Sequence, residues 1–429
     1  MKMRLVIFVE GPAVNQFWPL AVSRPPYLLR CGATLLWEKW IPRLRPERLC
    51  FFTRPELAGI VAEKTGNLVN QSEDWTGADV WVLDGRWILS AAGDFDPDTI
   101  PEECLLRCAD RSVGIRFSGD NTSVSHTVSE WLRTGARGSF PDTGLPPGDV
   151  SGKVIDYLWD VVDYNPDQIG LDFASLAGGK PGQWPPDMVD RTAVVTNPER
   201  TFIGEGARIG PQTVLDARGG AIIIDKNAVI NPHTYIEGPA VVGPGSTLFG
   251  GKIRAGTTIG PVCRVGGEIE ASVFLGWANK HHDGFLGHCI IGEWVNLGAL
   301  TTNSDLKNNY RPVRVELPGQ VVDTGRVKVG SYLADHTKTG IGTLLPSGGT
   351  VGFASNIFGG GAVAPKMIPE FVWGGGGRFV EHRLAQARQT AAEVHRRRNV
   401  EFTDEEAGLF DLIFEQSKRH RDTFLSVKR

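Results

Sequence analysis

Between Ile203 and Ile269 an aliphatic residue recurs every six positions. It stands at Ile203, Ile209 and Leu215, then at Ile224, Ile230, Ile236, Val242 and Leu248, and after a one-residue slip at Ile253, Ile259 and Val265. Four places after most of these comes a small residue: Ala207, Thr213, Gly219, Ala228, Thr234, Ala240, Ser246, Thr257 and Cys263, with Lys252 and Ile269 as the exceptions. A helix needs a period of 3.6 and a half-buried strand a period of two, so a strict six excludes both. It fits short straight strands joined by tight corners, with the aliphatic side chain filling a prism and the small one leaving room at the turn. The pattern predicts a left-handed parallel β-helix, an exception to the right-handed rule for parallel crossovers. The ladder is expected to start near residue 191, to break at Asn279–Asp283 and at Asn303–Val322, and to end near Trp373.

At 429 residues the chain exceeds one typical core, and it reads as four parts. Residues 1–148 look α/β, with candidate buried strands at Arg4–Val9, Leu49–Thr53 and Asp79–Leu83 and helix-like stretches at Thr34–Leu44 and Pro55–Lys64. Residues 149–190 form a helical linker, with an amphipathic helix at Val150–Val162 and a Gly/Pro-rich connector at Gly178–Pro186. Residues 191–373 are the β-helix, and 374–429 are helical. In that last part Thr403-Asp-Glu-Glu406 is a capping box opening a helix that carries Leu409, Phe410, Leu412, Ile413 and Phe414. The run Arg396-Arg-Arg398 suits the negative end of a solvated helix, with a phosphate contact as the alternative.

A formal charge of -4 offers no basic surface for nucleic acid or membrane. The opening apolar run is too short for a signal-peptide core or a bilayer span and reads as a first strand. Six cysteines without a CxxC pair are expected to be reduced, buried thiols of a cytoplasmic protein, with Cys104 and Cys108 on one helical face.

Polar residues crowd into Gly276-Trp-Ala-Asn279-Lys280-His281-His282-Asp283-Gly284-Phe285-Leu286-Gly287, continuing through Gly292 to Asn296-Leu-Gly298-Ala299-Leu-Thr301. Loops leaving a rigid scaffold are where sites are built. Moving an acyl group from a thioester to an amine needs a base near neutral pH, which histidine supplies, and donors for the developing oxyanion, which the Gly298-Ala299 corner could supply.

This segment is similar to the acetyltransferase half of the bifunctional N-acetylglucosamine-1-phosphate uridylyltransferase/glucosamine-1-phosphate acetyltransferase family. That family reads Lys, a short spacer, His, Tyr three further on, Gly, Ile-Gly and Val-Asn-Ile-Gly-Ala-Gly-Thr. The resemblance places the catalytic histidine on His282, the aromatic on Phe285, the sugar-touching asparagine on Asn296 and the thioester corner on Ala299. Gly298 and Thr301 fall into the same register. Lys280 and, better placed, Arg264 are candidates for a sugar phosphate. Leu300 replaces a glycine, and Asp305-Leu306 stands where the family has Asn-Tyr. Asn279-Lys-His-His-Asp-Gly-Phe-Leu-Gly and Asn303-Ser-Asp-Leu-Lys-Asn-Asn-Tyr310 look closest to an alternative bacterial branch labelled sugar nucleotidyltransferase. His281 either orients the loop or is merely exposed, and His336 either reaches the same crevice or is structural.

By the same resemblance residues 1–148 stand where the family has its nucleotidyltransferase, whose chemistry needs a Gly-rich loop with Arg for a triphosphate and an Asp for Mg²⁺. Here Glu10-Gly11-Pro12-Ala13 has one glycine, and Leu83-Asp84-Gly85-Arg86 displaces the acid. Arg24 and Arg30 remain as candidates for nucleotide phosphates, with UTP or another NTP as substrate and Mg²⁺ required only if this domain is active. The resemblance implies acetyl-CoA and a sugar phosphate as substrates, in nucleotide-sugar biosynthesis, and a homotrimer with acetyl-CoA between subunits. Two other classes compete. One is a non-catalytic sugar-nucleotide-binding or scaffold protein. The other is a metal enzyme like the γ-class carbonic anhydrases, suggested by Gly287-His288-Cys289-Ile-Ile-Gly292 but lacking their ligand spacing.

Overall fold

Six-residue phrasing becomes three flat parallel sheets in the computed structural model, which describes residues 2–71, 74–91, 95–136, 138–176 and 181–427. Residues 178–180 of the Gly178–Pro186 connector lie outside them. One sheet has nine strands, from Thr201–Ile203 to Met367–Ile368. A second has ten, from Arg208–Ile209 to Arg378–Glu381. A third has six, from Val194–Thr196 to Phe285–Gly287. All three are parallel except for the final pair, Val372–Gly375 with Arg378–Glu381.

Register explains the hexads. Ile203, Ile224, Val242 and Ile259 pair in succession on one sheet, and Ile209, Ile230, Leu248 and Val265 on another. Each column stacks its side chains inside the prism, where they form one continuous buried core. Small residues such as Ala207, Ala228, Ser246 and Cys263 are buried at the corners, where a larger side chain would collide with the next coil.

The expected break at Asn279–Asp283 does not occur. Asn279–Lys280 is a strand of the ten-stranded sheet, paired with Arg264–Val265 below and, at Asn279, with Asn296 above. Lys280 hides the ladder from a hydropathy reading because it occupies an interior position, in register with Val265. The second break is real. A hairpin, Arg314–Leu317 with Gln320–Asp323, leaves the prism before the coil returns at Tyr332–Leu333.

The chain divides into two units, residues 1–17, 24–29 and 34–157, and residues 18–23, 30–33 and 158–429. The division after the α/β part therefore falls at Tyr157, not at 148, and residues 149–190 are not a separate linker. Lys153–Val154 pairs antiparallel with Trp87–Ile88, which holds this stretch to the first unit and ends any helix there. The helix lies further on, at Leu158–Leu176. Its Asn165 donates to Gly256 O at 2.8 Å and to Thr258 Oγ1 at 3.0 Å, so it belongs to the β-helix.

In the first unit a seven-stranded mixed sheet has the spatial order Pro147–Asp149, Cys104–Cys108, Arg111–Ser118, Ala78–Asp84, Met3–Val9, Arg48–Phe52, Leu68–Val69. Cys104 and Cys108 lie on a strand, not a helix, and a period of two also puts them on one buried face. Thr34–Leu44 holds only one α-helical turn, Ile41–Leu44. Trp40 packs 4.1 Å from Trp87 and donates its indole N–H to that residue's carbonyl, overriding local helix preference.

Three C-terminal helices, Leu384–Arg396, Asp404–Gln416 and Lys418–Val427, complete the second unit. Thr403 and Glu406 form the reciprocal capping box. Phe410 packs edge-on to His336, Phe353 and Phe371, which anchors the middle helix to the β-helix corner. No helix among the described residues is long and apolar enough to cross a membrane.

Candidate active site on the ten-stranded face

Strand alternation sends one residue of each rung inward and its neighbour outward. On the ten-stranded sheet the outward row runs Arg264, Asn279, Asn296, Lys338. The Asn279 amide donates to Asn296 Oδ1 at 2.6 Å, which fixes both side chains on the surface. Arg264 and Asn296 are exposed. Lys338 is half-buried, and burial lowers its ammonium to about 8.

The strand then turns at His281 and His282. Lys280 holds this corner from inside the prism, where its ammonium donates to the carbonyl oxygens of His282 and of Asp283, the latter at 2.9 Å. Burial pulls its pKa down to about 8, with the Asp283 charge opposing the shift. Lys280 is therefore a corner brace with no exposed surface to offer a sugar phosphate. His281 lies 3.9 Å from the Phe249 ring and 4.7 Å from His282. Burial, then the charges of His282 and Arg264, push its pKa below the ordinary histidine value. His282 is the exposed member of the pair.

The next coil supplies the neighbouring corner. The Gly298 N–H already donates to Thr339 O at 3.1 Å and so is not a spare oxyanion donor. Ala299 is half-buried there, and its carbonyl accepts from Gly342 N–H at 2.8 Å. Thr301 is fully buried, with its hydroxyl 2.7 Å from that of Thr339, and cannot touch a cofactor. Phe285 is half-buried beyond the corner, on the six-stranded sheet, with its ring against Gly287. His336 is buried against Phe353 and Phe410, so its place is structural.

One pair was not foreseen. His288 Nδ1 lies 2.9 Å from Asp305 Oδ2, both mostly buried. Burial works to raise the Asp305 carboxyl, but the hydrogen bond and charge of His288, with Lys328 behind, bring it below its ordinary value. The two are 17 residues apart, about one coil of this prism, and that spacing was the available signal.

In the first unit a cavity of about 440 Å³ is lined by Gly11, Gln16, Asp84, Arg86, Arg111 and Asp156, among others. Gly11 has a φ of 78°, and a Cβ there would meet the Arg86 side chain at 2.8 Å, so the glycine is required by this close approach. Arg86 grips Asp84 through two contacts, Nε to Oδ1 at 3.0 Å and Nη2 to Oδ2 at 2.7 Å, and its backbone N–H donates to Oδ1 at 2.9 Å. Asp156 is held in turn by Arg111, at 2.6 and 2.7 Å. Asp84 and Asp156 are thus engaged by guanidinium groups, which leaves the exposed Asp110 as the other carboxylate of the lining, and this set does not fit a Mg²⁺ ion. Among the described residues no group of three His, Cys, Asp or Glu is placed to hold a metal. Arg24 and Arg30 do not line this cavity. Arg24 is fully buried, and Arg30 belongs to the second unit, where it donates to Ala33 O.

A seven-stranded mixed α/β unit followed by a hexapeptide β-helix makes a two-part scaffold. The family model described as sugar nucleotidyl transferase matches residues 6–180. A bifunctional sugar-1-phosphate nucleotidylyltransferase/acetyltransferase from Sulfurisphaera tokodaii is 31% identical over 155 residues, 34% of this chain and 37% of that protein. The bifunctional protein GlmU of Methylibium petroleiphilum is 32% identical over 196 residues, 44% of this chain and 35% of that protein. The matches thus span about a third of these curated relatives. Among solved structures, an Arabidopsis UDP-N-acetylglucosamine acyltransferase is 14% identical, covering 56% of this chain and 92% of that one, at a TM-score of 0.21. Residues 6–180 are thus similar to the sugar nucleotidyl transferase family model, and part of the chain is similar to these bifunctional proteins.

Proposed function

We propose that the β-helix unit is an acetyl-CoA-dependent N-acetyltransferase acting on an amino-sugar phosphate, in nucleotide-sugar biosynthesis. The observation that carries this reading is the exposed His282 at a braced corner, one strand from the Asn279–Asn296 amides and the Arg264 guanidinium. The sugar amine attacks the thioester carbonyl and forms the C–N bond. The His282 imidazole takes the amine proton, and the Ala299 N–H faces the oxyanion. Collapse of the tetrahedral intermediate breaks the C–S bond, leaving the N-acetyl sugar and free CoA, with the proton passing to the thiolate. Asn296 meets the sugar and Arg264 its phosphate. His281, with its lowered pKa, stays neutral beside His282 and does not compete with it as a cation.

The working assembly is a homotrimer, because flat prism faces become crevices only when prisms pack side by side. For the first unit we infer binding of a sugar phosphate or nucleotide without turnover. The guanidinium lock on Asp84 favours this over Mg²⁺-dependent transfer to UTP or another NTP.

Incubation with acetyl-CoA and a panel of amino-sugar phosphates, following thiol release, tests the first reading. The expected result is CoA release that needs both substrates. Release independent of the amino sugar would refute it.

A further inference from the structure

Beside His282 the same face carries a cleft of about 310 Å³ that the reaction above does not fill. Its floor is the row Arg264, Asn279, Asn296 and Lys338, and one wall is Trp277 with Trp294. The opposite wall is the end of the Leu384–Arg396 helix, with Arg397 and Arg398 just beyond it.

Each wall has a local cause. Trp277 and Trp294 sit at successive corners with φ of 55° and 60°, in a region bulky residues rarely adopt. The corner hydrogen bond from Trp277 N–H to Pro261 O, 2.8 Å, holds the first of them. Their indoles stack at 4.8 Å and 19°, and His395 of the helix stacks on Trp294 at 3.7 Å. That contact, with Arg398 Nη1 donating to Val262 O at 3.1 Å, docks the helix end over the sheet. The stack ends in Trp277, which is half-buried. Four cations line the cleft and no carboxylate does. Burial, then the nearby charge of Arg264, lower the Arg398 pKa.

The order from one corner of the prism to the next is the informative feature. Trp277 at one corner, the amide and cation row at the Asn279–Lys280 strand, and His282 at the following turn lie within five residue steps, a span that cannot exceed about 17 Å even in extended chain. In an amino-sugar 1-phosphate, amine and phosphate sit on neighbouring ring carbons. With its amine at His282, such a ligand ends at the cation row and leaves the tryptophan corner bare. A diphosphate with a planar base beyond it fills the remainder. We propose that the acceptor is a nucleoside-diphosphate-linked amino sugar. Its diphosphate is held by Arg264, Lys338, Arg397 and Arg398, and its base stacks on Trp277. This assignment rests on the acetyltransferase reading for the amine end only.

Uridine 5′-diphosphate binding by calorimetry, and acetylation of UDP-glucosamine against glucosamine 1-phosphate, test it on the full chain. UDP should bind the wild type and His282→Ala alike, and Trp277→Ala should weaken it by about 5- to 150-fold, the worth of one stacked base. Arg397→Ala, at an exposed position that leaves folding intact, should weaken UDP binding at least several-fold. UDP-glucosamine should exceed glucosamine 1-phosphate in kcat/KM by at least tenfold, and Trp277→Ala should collapse that ratio. Undiminished UDP binding in both Trp277→Ala and Arg397→Ala overturns the proposal. So does a preference for the 1-phosphate, or displacement of UDP by CoA, which would give the cleft to the donor's nucleotide. UDP binding that depends on Trp277 without any acetylation would uphold the cleft and refute the acetyltransferase reading instead.

Discussion

Lys280 offers the sharpest physical test of the braced corner. Its pKa falls from 10.5 to about 8 because the ammonium lies inside an apolar prism. At 1.36 kcal/mol per pH unit, that difference is a penalty of about 3 kcal/mol on the charged form. Exposed Asp283 lets some water relax this, so about 2–3 kcal/mol is the working figure. The direction follows from proton counting. Between pH 8 and 10.5 the unfolded chain keeps the Lys280 proton while the folded chain gives it up, so unfolding takes up protons and stability rises with pH. Below pH 8 both states are charged, and the full penalty weighs on the fold. Lys280→Met removes the charge and keeps the length, but leaves the His282 and Asp283 carbonyls, which point at the buried ammonium, without their donor, at a cost of about 1–3 kcal/mol each. The charge penalty appears instead in the pH dependence: the wild type should gain about 2–3 kcal/mol of stability relative to the variant between pH 7 and pH 10.5. Lys338, also lowered to about 8, contributes equally to both proteins and cancels in the difference. Urea denaturation at half-unit intervals from pH 7 to 10.5 reads the effect. A wild-type-minus-variant difference that is flat with pH would refute the reasoning.

Other outcomes follow from the same geometry. His282→Ala should lower kcat by about 10²–10⁴-fold with little change in acetyl-CoA affinity, while His281→Ala costs much less; steady-state thiol release checks both, and full activity in His282→Ala removes the base. Asp305→Asn should cost about 1–3 kcal/mol, the usual loss when a partly buried charge-assisted bond is broken. Because the Asp305 pKa is lowered on folding, its contribution is present above the ordinary aspartate range and is lost as pH falls from that range through the lower folded value, so wild type and variant should converge in stability at low pH. Light scattering at micromolar concentration should show three copies per particle, and a monomer would remove the crevice the acetyl donor needs. Removing residues 1–186, which hold Asn165 and its bonds to Gly256 and Thr258, should destabilise the β-helix more than a cut before Leu158; thermal melts of the two fragments compare them.

How much of this was legible depends on what each residue spends its side chain on. Ile224 or Leu248 can do nothing but fill a prism, so spacing alone betrays the coil. Lys280 breaks the hydropathy pattern while keeping the geometric one, and a reader of hydropathy sees a gap where the ladder continues. Its role is invisible in sequence because the partners are backbone carbonyls, which every residue carries. Gly298 and Thr301 failed for the reverse reason. They match a motif, yet the Thr339 carbonyl and hydroxyl one coil up had already taken their polar groups.

Coil length is the variable that a linear reading lacks. Contacts between rungs link residues a coil apart, as in Asn279 with Asn296 or His288 with Asp305, both 17 positions. Once the prism is known, the sequence can be folded at that interval and side chains read down columns. Read so, Trp277 and Trp294 fall together at one corner and Asn279 and Asn296 on one face, while Arg264, 15 positions before Asn279, joins that face through a shorter coil. The part beyond this reading is what arrives from outside the ladder. Arg397 and Arg398 reach the cleft because a helix more than a hundred residues downstream stacks His395 on Trp294, a contact with no periodic trace. Rung-to-rung geometry thus builds the floor of the site, and tertiary docking closes it. If that is right, His395→Ala should loosen the helix end and lower affinity for UDP without touching a ligand atom. The loss should appear as faster release, read by stopped-flow displacement, with the outward row unchanged. An unaltered release rate would mean that Arg398, through its bond to Val262, holds the wall alone.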